Sequence, residues 1–199
     1  MRLFQEEEGE NMKHMGTCRI ETERLVLRKF MITDAKAMYN NWAKEDDVTK
    51  YLTWPSHPNA DISEKIIRSW INNYEQDNNY QWCIELKSIG EAIGSIGVVN
   101  RNDEVGSVEI GYCIGSSFWK QGIASEALTA IVAFFFDEVM VNRIEARHDM
   151  NNPNSGKVMM KCGFAYEGTK RQADKNNQGI CDVAMYGILA EEYKARKMI

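Results

Sequence analysis

The segment that most constrains this chain is a stretch of helix length, residues 122–138, whose apolar side chains cover more than one face. One stripe at helical spacing is widened by a second: Ile123, Ala127, Ile131 and Phe134, then Leu128, Val132 and Phe135. A helix that is apolar over so wide an arc is stable in water only when it is buried. Its continuous apolar run, residues 130–136, is shorter than the ~20 residues that span a bilayer. The segment therefore predicts a helix that packs against a sheet.

Three segments before this helix alternate apolar and polar residues with a period of two, as half-buried strands do. They cover residues 80–86, 92–100 and 108–114, with Gly94 and Gly97 inside the second. Short connections join antiparallel strands, whereas a strand, a long helix and a following strand form a parallel crossover. The pattern predicts a mixed sheet that is antiparallel in its first half.

The other elements before the sheet are shorter. Residues 19–30 predict one strand, and residues 35–43 predict a short helix. A loop is expected at residues 49–59, because it carries prolines among polar residues. Asp61 or Ser63 is then a suitable N-cap for a further helix.

The part of the chain after the long helix predicts three more strands and one helix. A strand is expected near residues 142–148, and a helix over residues 152–162 that ends at Gly163. Two closing strands are expected near residues 164–171 and 180–189. The whole pattern is that of an α/β fold.

No internal repeat or linker divides the chain, so we expect one domain over residues 17–199. Residues 1–16 are acidic and rich in Met, without periodicity, and predict a poorly ordered N-terminal extension. The first residues lack the apolar core of a signal peptide, and no segment is long enough to span a membrane. We therefore expect a cytoplasmic protein without a membrane partner.

Composition excludes several function classes. The formal net charge is -5, from 24 Lys and Arg against 29 Asp and Glu, which opposes nucleic-acid binding. The five cysteines are odd in number and form no CxxC pair, so we expect free thiols rather than a disulfide framework. No HExxH motif or cluster of Cys and His predicts a metal site.

The start of the long helix has the features of an anion site. Gly122 and Ala124 open the helix with almost no side chain, so that a ligand can approach the backbone. The first turn of a helix has unpaired N–H donors and about half a positive elementary charge, which suits a pyrophosphate. The alternative is a glycine that only permits a turn before a core helix. Neither GxGxxG after a strand nor GxxxxGK[ST] occurs, which disfavours dinucleotides and ATP.

Three stretches, in this order and spacing, carry a family resemblance: ETERLVLR at residues 21–28, FWKQGIASEAL at 118–128 and NPNSGKVMMKCGFAYEG at 152–168. Together they resemble the GNAT superfamily of acyl-CoA-dependent N-acetyltransferases. The resemblance is strongest to the branch that contains the ribosomal-protein N-terminal acetyltransferases (RimJ/RimL-like). It covers about residues 19–190.

The resemblance implies a fold in more detail. It implies a single GNAT-like α/β (α+β) domain, with a mixed central sheet of about six to seven strands and helices on both faces. A V-shaped split is implied between the strands near residues 107–114 and 142–148.

The resemblance also implies that acetyl-CoA is the co-substrate, and it places the residues that bind it. Backbone N–H groups of one loop would hold the pyrophosphate: Gln121, Gly122, Ile123, Ala124 and Ser125. The strand over residues 109–113 would pair with the pantetheine arm. The thioester would lie near three of its residues: Ile110, Gly111 and Tyr112. Asn152 and Ser155 match positions that contact the pantetheine.

The chain departs from the family pattern at three positions. Trp119 replaces a frequent Arg or Gln, and Lys120 replaces a frequent Gly, but binding through main-chain donors survives both changes. Many members have a tyrosine at the position of Met159 that protonates the departing thiolate. A thiol pKa of ~8.5 makes the thiolate a tolerable leaving group without strong acid help. Tyr112 and Tyr166 are the remaining hydroxyl candidates.

The simplest mechanism is direct attack of a neutral amine on the thioester carbonyl, with positioning supplying much of the rate. A strand N–H near Gly111 or Tyr112 is expected to stabilise the oxyanion. Glu109 is a candidate base acting through water, with a solvated carboxylate as the alternative. His57 is a second candidate base, and Trp54 and His57 are candidates for the acceptor wall, against simple packing.

Charged side chains near the loop have two interpretations. Lys120, Lys157 and Arg171 are candidates for contacts with the adenosine phosphates, or they are solvated surface charges. His148, on a predicted strand, is expected to be structural.

Three functions remain open at this stage. The first is acetylation of a peptide or protein amine, favoured because an α-amine, with a pKa of ~7.7–8.0, loses its proton more easily than a Lys side chain. The second is acetylation of a small amine, such as a polyamine, an amino acid or an antibiotic. The third is a non-catalytic acyl-CoA-binding module, which Met159 keeps open. A homodimer is left open as well.

Overall fold

The computed structural model describes residues 12–198. Within them the chain forms eight strands: β1 (Ile20–Glu21), β2 (Leu25–Arg28), β3 (Gln81–Leu86), β4 (Glu91–Asn102), β5 (Ser107–Ile114), β6 (Arg143–Asp149), β7 (Ala165–Asn176) and β8 (Gly179–Leu189). Six α-helices in the same part of the chain accompany them: α1 (Ala35–Met38), α2 (Asp46–Thr49), α3 (Ala60–Asn73), α4 (Ile123–Phe134), α5 (Pro153–Lys161) and α6 (Ala190–Lys197).

The strands form one sheet in the order β1-β2-β3-β4-β5-β6-β8-β7. Neighbouring strands are antiparallel except β5 and β6, which are parallel and joined through α4. This confirms the predicted mixed sheet, antiparallel in its first half and with a crossover in the middle. A parallel pair needs such a long connection, because the chain must return to the same end of the sheet.

The sheet has one strand more than the six to seven expected, because the single strand predicted over residues 19–30 is a hairpin. Thr22 closes its turn: the Thr22 N–H donates to the Leu25 carbonyl at 3.0 Å, and the Leu25 N–H donates to the Thr22 hydroxyl at 3.0 Å. The short strands β1 and β2 therefore pair with each other. Side-chain capping of this kind competes with a continuous strand.

Helices cover both faces of the sheet. Side chains of β3 alternate between the faces, so Trp82 and Ile84 join the core beneath α4, whereas Cys83 joins the core beneath α1 and α3. The predicted apolar helix is buried along most of its length and continues as a π turn over Phe135–Val139. Its buried apolar side chains are those of the two predicted stripes: Ile123, Ala127, Leu128, Ile131, Val132 and Phe134.

The parallel strands β5 and β6 pair over only three residues each. The register joins Ser107 to Arg143, Val108 to Ile144 and Glu109 to Glu145, and it stops there. Beyond this point β5 pairs only with β4, and β6 only with β8, among the described strands. The implied V-shaped split is thus confirmed, and it gives the sheet an opening with backbone on both sides.

The start of α3 differs from the prediction. The N-cap of α3 is Asn59, whose side chain accepts hydrogen bonds from the N–H groups of Asp61 and Ile62, so the prediction of Asp61 or Ser63 was wrong. Ser63 cannot cap the helix because it lies one turn inside it and is fully buried.

Where it is described, the N-terminal part of the chain contacts the π turn after α4 and the residue before β3. Residues 1–11 of the predicted extension lie outside the described residues. In the rest of it, the Lys13 N–H donates to the Val139 carbonyl at 2.8 Å, and the Met15 N–H donates to the Tyr80 hydroxyl at 3.2 Å. No helix within residues 12–198 has the length and apolar character needed to cross a membrane.

Candidate functional site

A cavity of about 480 Å³ opens where β5 and β6 separate. One wall is the free half of β5, a second is the start of α4 with the loop before it, and a third combines the end of β6 with α5. A fourth wall comes from α2 and the residues after it: Val48, Tyr51 and Leu52. Most of the residues that the sequence analysis assigned to the cofactor line this cavity: Ile110, Gly111, Tyr112, Gly122, Ile123, Ala124, Ser125, Asn152 and Ser155.

The loop before α4 turns sharply, so that the helix begins at the cavity. Lys120 and Gly122 both have left-handed backbone angles, with φ of 61° and 77°. The Glu126 N–H donates to the Gly122 carbonyl at 3.0 Å and so closes the first turn. The N–H groups of residues 123–125 precede this bond and have no carbonyl inside the helix to donate to. They form a donor cluster at the positive end of the α4 dipole.

The carboxylate of Glu126 fastens this loop to the β1–β2 hairpin. It accepts hydrogen bonds from the Thr22 hydroxyl at 2.6 Å, the Arg24 N–H at 2.9 Å and the Arg24 Nε at 2.6 Å. Burial opposes its ionisation, but these donors outweigh burial and lower the pKa of Glu126. Arg24 also donates through Nη1 to the Gln121 carbonyl at 2.8 Å. The ETERLVLR stretch therefore supports the loop rather than binding a ligand itself.

Trp119 and Gln121 fix the loop from the other side. The Trp119 indole Nε1 donates to the Ile114 carbonyl, at the end of β5, at 2.7 Å. The Gln121 side chain donates to the Ser117 carbonyl at 2.9 Å. Gln121, which was predicted to bind the cofactor, does not line the cavity. The Trp119 side chain, which stands where Arg or Gln is frequent, thus holds the loop against the end of β5 and also lines the cavity.

Tyr112 and α5 form the wall where the thioester was expected. The Tyr112 hydroxyl donates to the Ser155 carbonyl at 3.1 Å, and the Asn152 side chain donates to the Ser155 hydroxyl at 3.0 Å. Burial raises the pKa of Tyr112, although the contact with Ser155 opposes this. Met159 is 2% exposed and packs in the core beneath α4, so its position offers no proton donor.

Glu109 lies at the vertex of the split, where β5 and β6 still pair. It is buried, and its carboxylate meets the Arg147 Nε at 2.8 Å. Burial raises the pKa of Glu109, and the Arg147 guanidinium opposes the shift. Arg147 also reaches Asp174 on β7 at 3.4 Å. Arg147 lines the cavity and Glu109 does not, so the Arg147 side chain lies between the Glu109 carboxylate and the cavity.

The two acceptor candidates from the loop, Trp54 and His57, do not line the cavity. Their rings pack against each other at 5.3 Å between centroids. His57 Nδ1 and the Ser63 hydroxyl share a hydrogen bond of 2.8 Å, and burial lowers the pKa of His57. The cavity wall in this region is instead formed by Tyr51 and Leu52.

Cations are concentrated at the α4 and α5 end of the cavity. Lys120 and Lys157, both predicted, line it together with Lys161. Arg171 does not line it, because it lies in an exposed part of β7 where the register with β8 is interrupted. Tyr166, the other hydroxyl candidate, is also exposed and shares a hydrogen bond of 2.7 Å with the Thr169 hydroxyl.

His148 faces the cavity instead of only supporting the strand. Its Nδ1 donates to the Asp149 carbonyl at 2.7 Å, which orients the ring with Nε2 toward α5. Nε2 is buried and has no hydrogen-bond partner among the described residues. A Cβ on Gly156 would lie 2.6 Å from this atom, so glycine is required for α5 to approach the ring.

Residues of the cavity wall that sequence reasoning did not assign to the site include Val48, Tyr51, Leu52, Arg147, Asp149 and Lys161. Arg147 occupies a polar position of an alternating strand, and such positions normally face solvent. Only the separation of β5 from β6 turns it toward a cavity. Tyr51 and Leu52 lie in the same predicted loop, three and two residues before Trp54, and their aromatic and apolar character was the available signal.

A larger depression of about 780 Å³ lies along the β4–β5 hairpin, away from the separated strand ends, and is lined mainly by polar residues 98–104 and 78–80. In the part of the chain described, no group of three or more His, Cys, Asp or Glu side chains is placed to hold a metal ion. The five cysteines are free thiols: Cys18, Cys83, Cys113, Cys162 and Cys181.

Comparisons with known proteins agree with this geometry. The family described as acetyltransferase (GNAT) domain matches residues 24–165. An uncharacterized N-acetyltransferase, p20 of Bacillus licheniformis, is 33% identical over 174 residues, which is 86% of this chain and 96% of the relative. The ribosomal-protein-serine acetyltransferase of Escherichia coli (strain K12) is 34% identical over 173 residues, which is 85% of this chain and 95% of that protein.

A solved structure has the same fold. The microcin C7 self-immunity acetyltransferase MccE, in complex with acetyl-CoA and AMP, matches with a TM-score of 0.77 at 19% identity. The match covers 84% of this chain and 93% of MccE. At this identity the likeness concerns the fold alone.

Proposed function

This chain belongs to the GNAT family of N-acetyltransferases, and we propose that it transfers the acetyl group of acetyl-CoA to the α-amine of a peptide or protein N-terminus. The observation that carries the proposal is the cavity between β5 and β6, which connects the donor cluster at the start of α4 with both faces of the sheet. A transferase needs such a passage, because its two substrates must meet at one carbon atom.

The residues present fit acetyl-CoA. The N–H groups of residues 123–125 suit a pyrophosphate, because they are unpaired donors at a positive helix end. Lys120, Lys157 and Lys161 supply positive charge around the same opening. Along the free half of β5, every second backbone N–H and C=O points away from β4 and is available to the two amides of a pantetheine arm.

The acceptor would enter from the opposite face of the sheet. Val48 belongs to the core beneath α1 and α3, so the wall that it forms with Tyr51 and Leu52 faces away from α4. An amine arriving along this wall would reach the separated strands from the side that the donor does not occupy. Acetyl-CoA supplies an activated thioester carbonyl when it is bound.

Proton removal from the attacking amine is assigned to Glu109 rather than to His57. The Glu109 carboxylate is joined directly to Arg147, which lines the cavity, and burial raises its pKa toward the range of a useful base. Neither carboxylate nor ring lines the cavity, but Glu109 contacts a wall residue, Arg147. His57 has its Nδ1 committed to Ser63 and its ring packed on Trp54, and neither of these lines the cavity. Proton donation to the departing thiolate is assigned to Tyr112, which lies on the free half of β5 and lines the cavity, and whose hydroxyl must exchange the Ser155 carbonyl for the thiolate to do so.

Two considerations support a peptide α-amine over a small amine. One relative acts, by its name, on a serine of a ribosomal protein. An α-amine also has a pKa of ~7.7–8.0, so a sizeable fraction is neutral near pH 7 even without a strong base.

The test is release of free thiol from acetyl-CoA in the presence of three acceptors. These are a short peptide with a free N-terminal serine, the same peptide acetylated at its N-terminus, and spermidine. We expect turnover with the free peptide only. Turnover with spermidine alone would assign the chain to small amines, and CoA binding without turnover on any of them would contradict the proposal.

A further inference from the structure

We infer that Asn177, in the turn between β7 and β8, is a positioning residue that holds the acceptor-side wall of the cavity in place. The inference rests on the proposed function in one respect, because it takes the wall formed by Tyr51 and Leu52 as the acceptor side. Asn177 itself does not line the cavity and acts through the segment that does.

Asn177 makes three hydrogen bonds to one short segment. Its side-chain Nδ2 donates to the Thr49 carbonyl at 2.8 Å and to the Trp54 carbonyl at 2.8 Å. Its backbone N–H donates to the Leu52 carbonyl at 3.2 Å. The three carbonyls bracket Tyr51 and Leu52, so a single asparagine fixes both ends and the middle of the wall.

The neighbouring residue ties the same turn to the opposite wall. Asn176 is buried and donates through Nδ2 to the carboxylate of Asp149, at the end of β6. Asp149 lines the cavity and also accepts the Asn151 N–H at 2.7 Å. Two adjacent asparagines therefore join the α2 side of the cavity to its β6 side. The turn sets the distance between the walls.

Such a bridge is needed because the wall has little regular structure of its own. The chain from residue 50 to residue 59 lies between α2 and α3 and contains no helix or strand. Segments of this kind open locally at low cost unless tertiary contacts restrain them. Without the Asn177 side chain, Tyr51 and Leu52 would sample several positions, and the acceptor would have to select one of them on binding.

The experiment compares Asn177→Ala and Asn177→Asp with Gln178→Ala. Asp keeps the shape of Asn177 but cannot donate to the two carbonyls, and Gln178 is an exposed amide in the same turn. We expect both Asn177 variants to raise KM for the serine peptide by roughly tenfold, as two lost hydrogen bonds allow. The KM for acetyl-CoA and the kcat should change less than twofold, and Gln178→Ala should match the parent protein.

Hydrogen exchange of residues 49–57, measured by mass spectrometry, gives a second readout that needs no turnover. Faster exchange in both Asn177 variants, with unchanged exchange in α4, is the expected result. Unchanged exchange in residues 49–57 would overturn the inference whatever the activity. A parent protein that turns over no amine while the exchange does change would instead contradict the proposed function and leave the Asn177 contact in place. Equal rises in the KM of both substrates would also overturn the positioning role.

Discussion

The two ends of the cavity are built in different ways. At the α4 end, donors come from the main chain of one contiguous segment, residues 119–126, and the side chains there serve to hold that segment. At the other end, which we propose receives the acceptor, a segment without regular structure is held by Asn177, from 128 and 123 residues away in the chain. The first end depends on a backbone conformation and the second on particular side chains.

Because of this difference, the two ends of the cavity tolerate different amino-acid substitutions. Backbone N–H groups at a helix start exist for almost any sequence, provided that the turn before the helix can form. A wall held by side-chain hydrogen bonds can be reshaped by one substitution. The donor end is therefore suited to one constant ligand, and the acceptor end is suited to a specificity that changes easily.

The largest effect is expected at Gly122, whose φ of 77° suits glycine. Gly122→Val should change the turn that aims the N–H groups of residues 123–125. Two lost hydrogen bonds to charged groups, at about 1.5–3 kcal/mol each, correspond to roughly 100-fold or more in CoA affinity. Titration calorimetry with CoA measures this change in affinity.

Gly90 provides the matched control for this substitution. It has a φ of 64° in the turn between β3 and β4, and a Cβ there would meet nothing within 4 Å. Gly90→Val thus carries similar backbone strain, of about 1–3 kcal/mol, away from the cavity. If both variants lost CoA binding equally, general destabilisation and not the α4 turn would be responsible.

The next effect is expected at the vertex of the split. Glu109→Gln keeps the shape of the side chain but removes the proton acceptor, and loss of a general base typically costs about 100-fold or more in kcat/KM. CoA affinity should stay the same, because Glu109 does not line the cavity. Steady-state kinetics with the serine peptide, together with calorimetry, separate the two quantities.

Glu145→Gln is the control, since Glu145 pairs with Glu109 in the β5–β6 register but bonds to Arg143 instead. In the parent protein, activity should fall as the pH drops through the raised pKa of Glu109. This fall of activity at acidic pH should be absent in Glu109→Gln. If kcat/KM were unchanged in this variant, another group would have to be the base.

The smallest effect concerns the stability of the acceptor-side loop. Burial lowers the pKa of His57 below 6.5, so the folded protein holds this ring neutral. Between the lowered pKa and 6.5 the unfolded chain binds more protons than the folded one, so stability is full above about pH 6.5 and declines below it. His57→Gln should make the free energy of unfolding, measured with urea, less dependent on pH in that range. An identical dependence would show that His57 is not the group responsible.

The two ends also differ in how far the sequence reveals them. Apolar spacing in residues 122–138 and the period of two before it are local signals, and they sufficed for α4, the meander and the donor loop. The acceptor wall depends on long-range contacts such as Asn177 to Thr49, which leave no local pattern. Trp54 and His57 were chosen there by residue type, and the fold places both outside the cavity wall.

The main-chain donors at the start of α4 can be observed directly by amide NMR. If they hold the pyrophosphate, CoA added to ¹⁵N-labelled protein should shift the N–H resonances of residues 122–125 strongly, and pantetheine, which has no phosphate, should leave them nearly unchanged. Resonances along the free half of β5 should respond to both ligands. If saturating CoA left the signals of residues 122–125 in place while other residues shifted, these donors would not be the pyrophosphate site.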